Sequence, residues 1–236
     1  MKTIVMILTY NERENIEKLI KEILKFPKIE ILVVDDNSPD GTWKIVKRLM
    51  RDNKRVKLLL RKKDKGRGFA GIAGYRYCLE HDADYIIEMD ADFSHNPKYL
   101  PNFLKAIKRA DVVLGSRLIK DGSDSDRGII RRTVTILANL YIKTMLGIKV
   151  TDGNSGYRCF RRKVLEELNP GNLISKGPDI VQEVLFKAHL KGFKIVEIPI
   201  EFIDRRLGKS KLSLGALFKG YVMVLRLKIG YIFGRL

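Results

Sequence analysis

Short apolar segments alternate with amphipathic helical patterns through the first half of this chain, and this alternation constrains the fold more than any other feature. The predicted strands lie at 3–9, 30–34, 56–60, 85–89 and 112–114. The predicted helices between them lie at 12–24, 42–50, 69–79 and 98–107. Strands that are apolar on both faces are typical of a parallel sheet covered by helices on both sides. The pattern therefore predicts an α/β fold with a mostly parallel sheet.

Polar residues follow each of these predicted strands. They are YNE at 10–12, DDNSPDG at 35–41, KGRG at 65–68, DAD at 90–92 and GSR at 115–117. In open α/β sheets, ligands bind beyond the carboxyl ends of the strands. Several carboxylates lie in these segments, although the 236-residue chain carries 46 Lys and Arg against 28 Asp and Glu. The sequence therefore predicts a binding site at this edge of the sheet.

The two acids of the DAD segment, Asp90 and Asp92, are spaced to project to the same side of an extended chain. Paired carboxylates repel each other unless protons or a cation intervene. Mg²⁺ or Mn²⁺ would fit, because both prefer oxygen ligands and are often shared with a bound diphosphate. The alternative is a solvated turn, since Asp is common in turns. The position at a strand end favours the metal site.

A glycine-rich segment from Gly66 to Gly71 matches G-x-G-x-x-G, and Asp90 follows at the spacing of a dinucleotide-binding acid. That fingerprint belongs directly after a strand, normally the first one. Here several basic or polar residues separate it from the third predicted strand. We interpret the segment as a basic helix N-terminus suited to phosphate. A nucleotide-binding module or oxidoreductase is the alternative.

The excess of positive charge is unevenly distributed. The formal net charge is +18, and eleven of these charges lie in two acid-free, apolar stretches at 127–151 and 209–236. Basic amphipathic helices of this kind bind membrane interfaces, whereas a core helix with solvated basic ends is the alternative. Nucleic acid is disfavoured as a partner, because no stacking-aromatic or helix-turn-helix motif accompanies the charge. The basic segment 204–211 is either a diphosphate clamp or a solvated turn.

Several classes of protein are excluded by the sequence. No run of 18 apolar residues predicts a membrane-spanning helix, and the N-terminus becomes polar too soon for a signal peptide. The two cysteines, Cys78 and Cys159, do not make a disulfide scaffold and favour a reducing compartment. The three histidines and two cysteines have no zinc-site spacing.

Taken in order, six segments resemble the family 2 nucleotide-sugar glycosyltransferases, and in particular the dolichol-phosphate mannose synthases. The segments are LTYNERENI (8–16), VVDDNSPDGT (33–42), KGRG (65–68), MDADFSHNP (89–97), GSR (115–117) and FIDRRLGKSKL (202–212). The resemblance extends from about residue 3 to residue 215. It implies a GT-A fold with a catalytic domain over 1–211 and a basic amphipathic, membrane-associating helix over 212–236.

The resemblance also implies roles for individual residues. Asp90 and Asp92 would hold the metal, with His95 as a further candidate ligand, and Arg117 and Arg131 would receive a lipid phosphate. The predicted catalytic residues are accordingly Asp92, Arg117 and Arg131. The predicted nucleotide-sugar site consists of Leu8, Tyr10, Glu12, Val34, Asp36, Asp90, Ala91, Asp92, Arg117, Arg205 and Lys211. The chain departs from the family at Leu8, where Pro is usual, and DGNSGYR at 152–158 is a loose version of a further family motif.

The reaction that the resemblance implies is an inverting transfer of mannose from GDP-mannose to dolichyl or another polyprenyl phosphate, with Mg²⁺ or Mn²⁺ as cofactor. A sister enzyme with another donor, such as UDP-glucose, is the first alternative. The protein would be peripheral on the cytoplasmic face of a membrane. Its anchor would be its own helices or a small membrane-anchoring partner protein.

Overall fold

The computed structural model describes residues 1–124, 128–203 and 214–234, of which 214–219 are described as backbone only. The strands are β1 (Thr3–Thr9), β2 (Ile29–Asp35), β3 (Val56–Leu60), β4 (Tyr85–Asp90), β5 (Val112–Ser116), β6 (Arg158–Arg161) and β7 (Ile195–Pro199). The helices are α1 (Ile16–Leu24), α2 (Thr42–Asp52), α3 (Arg67–Glu80), α4 (Leu100–Ala106), α5 (Ile129–Leu146), α6 (Arg162–Leu168), α7 (Ile180–Leu190) and α8 (Leu214–Ile232). Short 3₁₀ turns lie at Pro97–Tyr99, Ile107–Arg109 and Pro170–Asn172.

The strands form one sheet in the order β3-β2-β1-β4-β6-β5-β7. The β1–β2, β1–β4, β2–β3 and β5–β7 pairs are parallel, whereas β6 runs antiparallel between β4 and β5. The predicted mostly parallel α/β sheet is thus confirmed, with boundaries within two residues for most of the predicted strands. Neither β6 nor α6 was predicted. β6 has only four residues and begins at the last position of the polar segment 152–158, and α6 has only seven, so neither is long enough to show a clear periodic pattern.

Alternate residues of the central strand β1 enter two separate cores. Ile4 and Met6 pack on the face covered by α3, α5, α6, α7 and α8, and Val5 and Ile7 pack on the face covered by α1, α2 and α4. All four side chains are at most 2% exposed. The period-two geometry of a strand therefore explains why the segment is continuously apolar: both of its faces are buried.

The loop after β1 is held in place before α1 begins. The Glu12 backbone N–H donates to the Thr42 hydroxyl at 2.9 Å, and the Asn15 backbone N–H donates to the Glu12 carbonyl at 3.0 Å. The helix therefore begins at Ile16 and not at residue 12, where periodicity predicted it. These bonds fix Tyr10 and Glu12 at the carboxyl edge of the sheet.

Helix α8 packs against α5 and α7. The Tyr141 hydroxyl donates to the Tyr221 carbonyl at 3.2 Å, and the rings of Phe186 and Tyr231 meet edge to face. Val224 and Leu227 are buried in the core that also contains Ile4 and Met6 of β1. Among the helices that the structure describes, none is both long and apolar enough to cross a membrane. The division into 1–211 and 212–236 stays a prediction.

Candidate active site

A cavity of about 1210 Å³ lies at the carboxyl edge of the sheet, where the polar segments meet. Its wall includes residues at the ends of β1, β2, β4 and β5, together with residues from α5, α7 and α8. Nine of the predicted site residues line it: Leu8, Tyr10, Glu12, Asp36, Asp90, Ala91, Asp92, Arg117 and Arg131. The chain therefore brings together in one cavity residues that are separated by more than a hundred positions in the sequence.

The remaining predicted residues lie elsewhere. Val34 is fully buried inside β2, in the core that also contains Met6, and it is not among the residues that line the cavity. His95 also lies behind the cavity wall. Arg205 and Lys211 fall outside the described residues, so the structure places neither of them.

The two acids of the DAD segment differ in burial and in their contacts. The Asp90 carboxylate is about one-third exposed and pairs with Arg67, whose Nη1 lies 2.8 Å from Oδ1. Asp92 is 7% exposed, and its Oδ1 accepts hydrogen bonds from the backbone N–H and the hydroxyl of Ser94. Two carboxylates at one cavity wall are a donor set that fits Mg²⁺ or Mn²⁺.

His95 is built into the wall behind these acids. The Asp90 backbone N–H donates to its Nδ1 at 2.9 Å, and its ring stacks on Tyr157 with a centroid separation of 4.9 Å. Burial lowers the pKa of His95, and the nearby Asp90 and Asp92 carboxylates do not offset this effect. In the described part of the chain, no three His, Cys, Asp or Glu side chains gather closely enough to hold a metal ion. The metal role of His95 therefore stays a prediction. Its observed contacts hold the segment that follows β4.

The nucleotide end of the predicted site is organised around two adjacent acids. Asp35 is fully buried and accepts hydrogen bonds from the hydroxyls of Thr9 and Ser38 at 2.8 and 2.7 Å. Asp36 faces the cavity, accepts from the Gly66 backbone N–H at 2.7 Å and pairs with Arg61. Burial raises the pKa of Asp36 despite these contacts. Asp35 thus holds the loop after β2, and Asp36 presents its carboxylate to the cavity.

The KGRG segment packs against a neighbouring loop, which explains its glycines. The Gly68 backbone N–H donates to the Lys176 carbonyl at 3.2 Å. A Cβ atom at Gly68 would lie 2.3 Å from the Ser175 carbonyl oxygen, so a side chain there would clash. Gly66 has a φ of +136°, which favours glycine. This close packing brings the Arg67 guanidinium to the cavity, between Glu88 and Asp90.

Arg117 is held in a fork-shaped ion pair. Its Nε and Nη2 lie 2.7 Å from the two carboxylate oxygens of Asp152, and its backbone N–H donates to Asp152 as well. Burial alone would lower the pKa of Arg117, but the bonds to Asp152 raise it above the ordinary value. The guanidinium also lies 5.1 Å from the centre of the Phe202 ring. A planar cation is thus fixed in the cavity wall.

The helical part of the cavity wall is mostly apolar. The residues involved are Ile130, Val134, Ala138 and Ile142 of α5, Val181 of α7 and Val224 of α8. Large apolar side chains also point outward from the same helices, including Ile129, Leu137, Leu140, Leu225, Ile229 and Ile232, which are 44–85% exposed. Arg131 lies among the apolar wall residues of α5. This half of the cavity can accommodate a ligand that is apolar with an anionic group.

Comparison with known proteins identifies the family. The model of Glycosyl transferase family 2 matches residues 4–169, well over half of the chain. The chain belongs to this family of glycosyltransferases. It is 37% identical to the undecaprenyl-phosphate mannosyltransferase of Micrococcus luteus, over 96% of this chain and 93% of that protein. It is 38% identical to the polyprenol monophosphomannose synthase of Mycolicibacterium smegmatis, over 90% and 81% respectively. The dolichol-phosphate mannosyltransferase of Pyrococcus furiosus is 37% identical over 93% of this chain, which spans 61% of that protein.

Solved structures share the fold of this glycosyltransferase. The mannosyltransferase PcManGT from Pyrobaculum calidifontis, in complex with GDP-Man and Mn²⁺, has a TM-score of 0.57 at 18% identity, over 89% of this chain and 58% of that one. Mannosyl-3-phosphoglycerate synthase from Rubrobacter xylanophilus has a TM-score of 0.60 at 18% identity, over 100% and 76%. These likenesses confirm the predicted GT-A fold.

Three residues of this family 2 enzyme are important to the site but were not predicted. Arg67 pairs with Asp90, Asp152 holds Arg117, and Glu88 lies beneath both Arg67 and Arg158. Two of the three have a signal in the sequence. Glu88 is a charged residue inside an otherwise apolar strand, and Arg67 is an arginine flanked by two glycines.

Proposed function

We propose that this glycosyltransferase transfers mannose from GDP-mannose to the phosphate of a polyprenyl (dolichyl) phosphate, with inversion at the anomeric carbon. The observation that carries the proposal is the division of one cavity into two chemically different parts. The acids Asp36, Asp90 and Asp92 line one part, and apolar residues of α5, α7 and α8 with Arg131 line the other. The names of the three relatives support the same donor sugar and the same class of acceptor.

The donor would bind along the strand ends. Tyr10, Glu12 and Asp36 would contact the nucleoside, and Leu8 and Ala91 would border it. Val34 would contribute only through its backbone, since its side chain lies in the core. Asp90 and Asp92 would hold Mg²⁺ or Mn²⁺, and the Mn²⁺ in the Pyrobaculum complex supports a divalent cation. When bound, the cation would offset the charge that develops on the departing diphosphate.

The acceptor phosphate would act as the nucleophile. It is ionised at neutral pH, so its oxygen can attack the anomeric carbon without a general base while GDP departs with the bonding electron pair. Arg117 and Arg131, both in the cavity wall, would orient that phosphate beside the sugar. A single displacement of this kind inverts the anomeric configuration. Arg205 and Lys211, in the basic segment 204–211, would add positive charge near the diphosphate.

The acceptor is a lipid, so we also propose that the protein works at the cytoplasmic face of a membrane. The exposed apolar residues of α5 and α8 lie on two of the helices that line the apolar half of the cavity. Arg131, Arg132 and Lys143 on α5 supply positive charge beside them. A surface with both features favours an anionic membrane interface. A small anchoring partner protein is the alternative to direct docking.

The test is a matrix of donors and acceptors with the purified protein. GDP-mannose and UDP-glucose are each incubated with a short polyprenyl phosphate and Mg²⁺ or Mn²⁺, and products are measured by mass spectrometry. We expect polyprenyl phosphate mannose and GDP. Product from UDP-glucose alone would identify the sister reaction, and NAD binding without any transfer would indicate the oxidoreductase alternative.

The variant Asp92→Asn is the sharpest single change for this proposal. Asn keeps the Oδ1 acceptor that Ser94 uses, so the loop is retained while the negative charge is removed. We expect transfer to fall at least about 100-fold, as is typical when charge stabilisation in the transition state is lost. Asp82→Asn, at a 91% exposed side chain, is the matched control. Undiminished transfer by Asp92→Asn in saturating Mg²⁺ would contradict the metal assignment.

A further inference from the structure

Arg67 occupies a position that the proposed reaction does not explain. Its Nη1 lies 2.8 Å from Asp90 Oδ1, and its Nη2 lies 3.4 Å from Glu88 Oε1. Its side chain is 26% exposed and lines the same cavity as Asp90 and Asp92. A cation of this protein therefore contacts a carboxylate to which the proposed function assigns a divalent cation.

The charges around Arg67 show which acid it offsets. Glu88 is fully buried and already has a strong partner, since Arg158 Nη2 lies 2.7 Å from its Oε2. The Tyr75 hydroxyl donates to the same oxygen at 2.6 Å. The closer contact of Arg67 is with Asp90, while its contact with Glu88 is long. Burial alone would lower the pKa of Arg67, but Asp90 and Glu88 raise it above its ordinary range, so it stays charged.

The backbone around Arg67 holds this cation in position. The Gly66 N–H donates to Asp36, and the Gly68 N–H donates to the Lys176 carbonyl. Arg67 is the first residue of α3, and the backbone on both sides of it is held in place. One of the groups that hold it is Asp36, a predicted nucleotide-binding acid. The Nη2 atom of Arg67 already lies 3.4 Å from Glu88 Oε1, so Glu88 can remain its partner when Asp90 binds another cation.

We infer that Arg67 is a built-in counter-cation for Asp90, which competes with the divalent cation until a nucleotide diphosphate accompanies that cation into the site. This inference rests on the proposed metal-dependent function. Two cations of like sign compete for one carboxylate oxygen, so the metal alone binds weakly. The oxygens of a diphosphate are additional ligands for the metal, and their negative charge favours binding of the metal over the contact between Arg67 and Asp90. Arg67 is then released from Asp90 and retains Glu88 as its partner.

The test is a titration with Mn²⁺, in which free Mn²⁺ is measured by electron paramagnetic resonance with and without GDP. In the wild-type protein we expect GDP to tighten Mn²⁺ binding. In Arg67→Leu we expect Mn²⁺ without GDP to bind at least about tenfold more tightly than in the wild type, because a competing unit charge has been removed. The increase in Mn²⁺ affinity that GDP produces should be smaller in Arg67→Leu than in the wild type by about the same factor.

Controls separate competition at Asp90 from a general change in charge. Arg61→Leu removes the same charge from an arginine that pairs with Asp36, and we expect less than a twofold change in Mn²⁺ affinity. Arg67→Gln is a second uncharged variant in case the leucine variant does not fold, which circular dichroism would reveal. If folded Arg67 variants bind Mn²⁺ no more tightly than the wild type, the inference is wrong.

The outcome for this inference is distinct from that for the proposed function. An Arg67 variant with tighter Mn²⁺ binding, in a protein that transfers no sugar from any donor, would support the inference and contradict the function. Transfer from GDP-mannose together with unchanged Mn²⁺ binding in both Arg67 variants would support the function and contradict the inference.

Discussion

Neighbouring acids in this protein have different roles, and the groups around each carboxylate decide which role it has. Asp35 is enclosed by Thr9 and Ser38, whereas Asp36 reaches the cavity. Asp90 pairs with Arg67, whereas Asp92 holds the turn at Ser94. A dipeptide or tripeptide motif marks such positions in the sequence, but the division of roles depends on hydrogen-bond partners from distant segments.

Arg131 and Arg132 give a test at this scale, because they are adjacent on α5 and only Arg131 lines the cavity. In Arg131→Ala we expect the KM for polyprenyl phosphate to rise about 10- to 100-fold, since a hydrogen bond to a charged group contributes about 1.5–3 kcal/mol. The KM for GDP-mannose should change little. Initial rates with each substrate varied in turn measure both constants. Arg132→Ala is the control, and equal effects on both substrates would contradict an acceptor role.

The antiparallel strand β6 shows how one element is positioned by buried charge. It inserts between β4 and β5, and Arg158 at its first position reaches Glu88 on β4 in the core. Both side chains are about 1% exposed. Burial alone would raise the pKa of Glu88, but the charges of Arg158 and Arg67 lower it below the ordinary value. The pair thus links the strand that carries Asp90 to a strand that the apolar pattern did not reveal.

Removing one partner of this pair should destabilise the fold strongly. For Glu88→Leu we expect a loss of about 3–5 kcal/mol in the free energy of unfolding, because Arg158 is left buried without its carboxylate. The double variant Glu88→Leu/Arg158→Met should lose less. Urea denaturation measures both, and Glu166→Leu, which breaks the exposed pair with Arg162, should cost about 0–1 kcal/mol. If Glu88→Leu lowers the free energy of unfolding no more than this control does, the buried pair of Glu88 and Arg158 does not have the stabilising role that we assign to it.

The difference in the free energy of unfolding between the wild type and Glu88→Leu should depend on pH, because the pKa of Glu88 is lowered in the folded protein. A carboxylate whose pKa is lowered in the folded state stabilises the protein at pH values above its ordinary pKa of 4.5. The stabilisation is lost as the pH falls through the lowered value. The difference in the free energy of unfolding between the wild type and Glu88→Leu should therefore become smaller in strong acid.

At the scale of the whole molecule, charge and apolar surface are arranged around the cavity. Acids gather at the strand ends, and eleven of the +18 excess charges belong to the stretches 127–151 and 209–236. The same stretches contain α5 and α8, which expose large apolar side chains and line the apolar half of the cavity. The proposed acceptor lipid would thus enter from the side of the molecule for which we propose docking to a membrane.

The double variant Leu137→Asp/Ile229→Asp tests this arrangement. These side chains are 59% and 46% exposed, so the changes should leave the core intact. We expect binding to vesicles with anionic lipids to weaken about tenfold or more, because burying one such side chain contributes about 1.5–3 kcal/mol. Co-sedimentation with vesicles measures binding. The control Ile174→Asp/Leu190→Asp changes exposed apolar residues outside α5 and α8. Equal binding by the two double variants would contradict membrane docking through these helices.

The amino-acid sequence alone was enough to predict the architecture and the edge of the sheet at which the candidate site lies. Continuous apolar segments such as 3–9 have to be buried on both faces, so alternation with helices leads to a parallel sheet, and polar residues after the strands meet at one edge. The motifs in their order pointed to the glycosyltransferase family, and the family model that matches residues 4–169 confirms it. These features depend on local pattern and order along the chain, which a sequence carries directly.

The electrostatic partners within the candidate site could be identified only from the three-dimensional structure. Arg67 meets Asp90, Asp152 holds Arg117, and Arg158 inserts β6 beside Glu88, in each case across more than twenty positions of the chain. Val34 and His95 turned out to lie behind the cavity wall and not in it. Charge pairs and burial depend on which segments pack together in three dimensions, and periodicity along the chain does not contain that information.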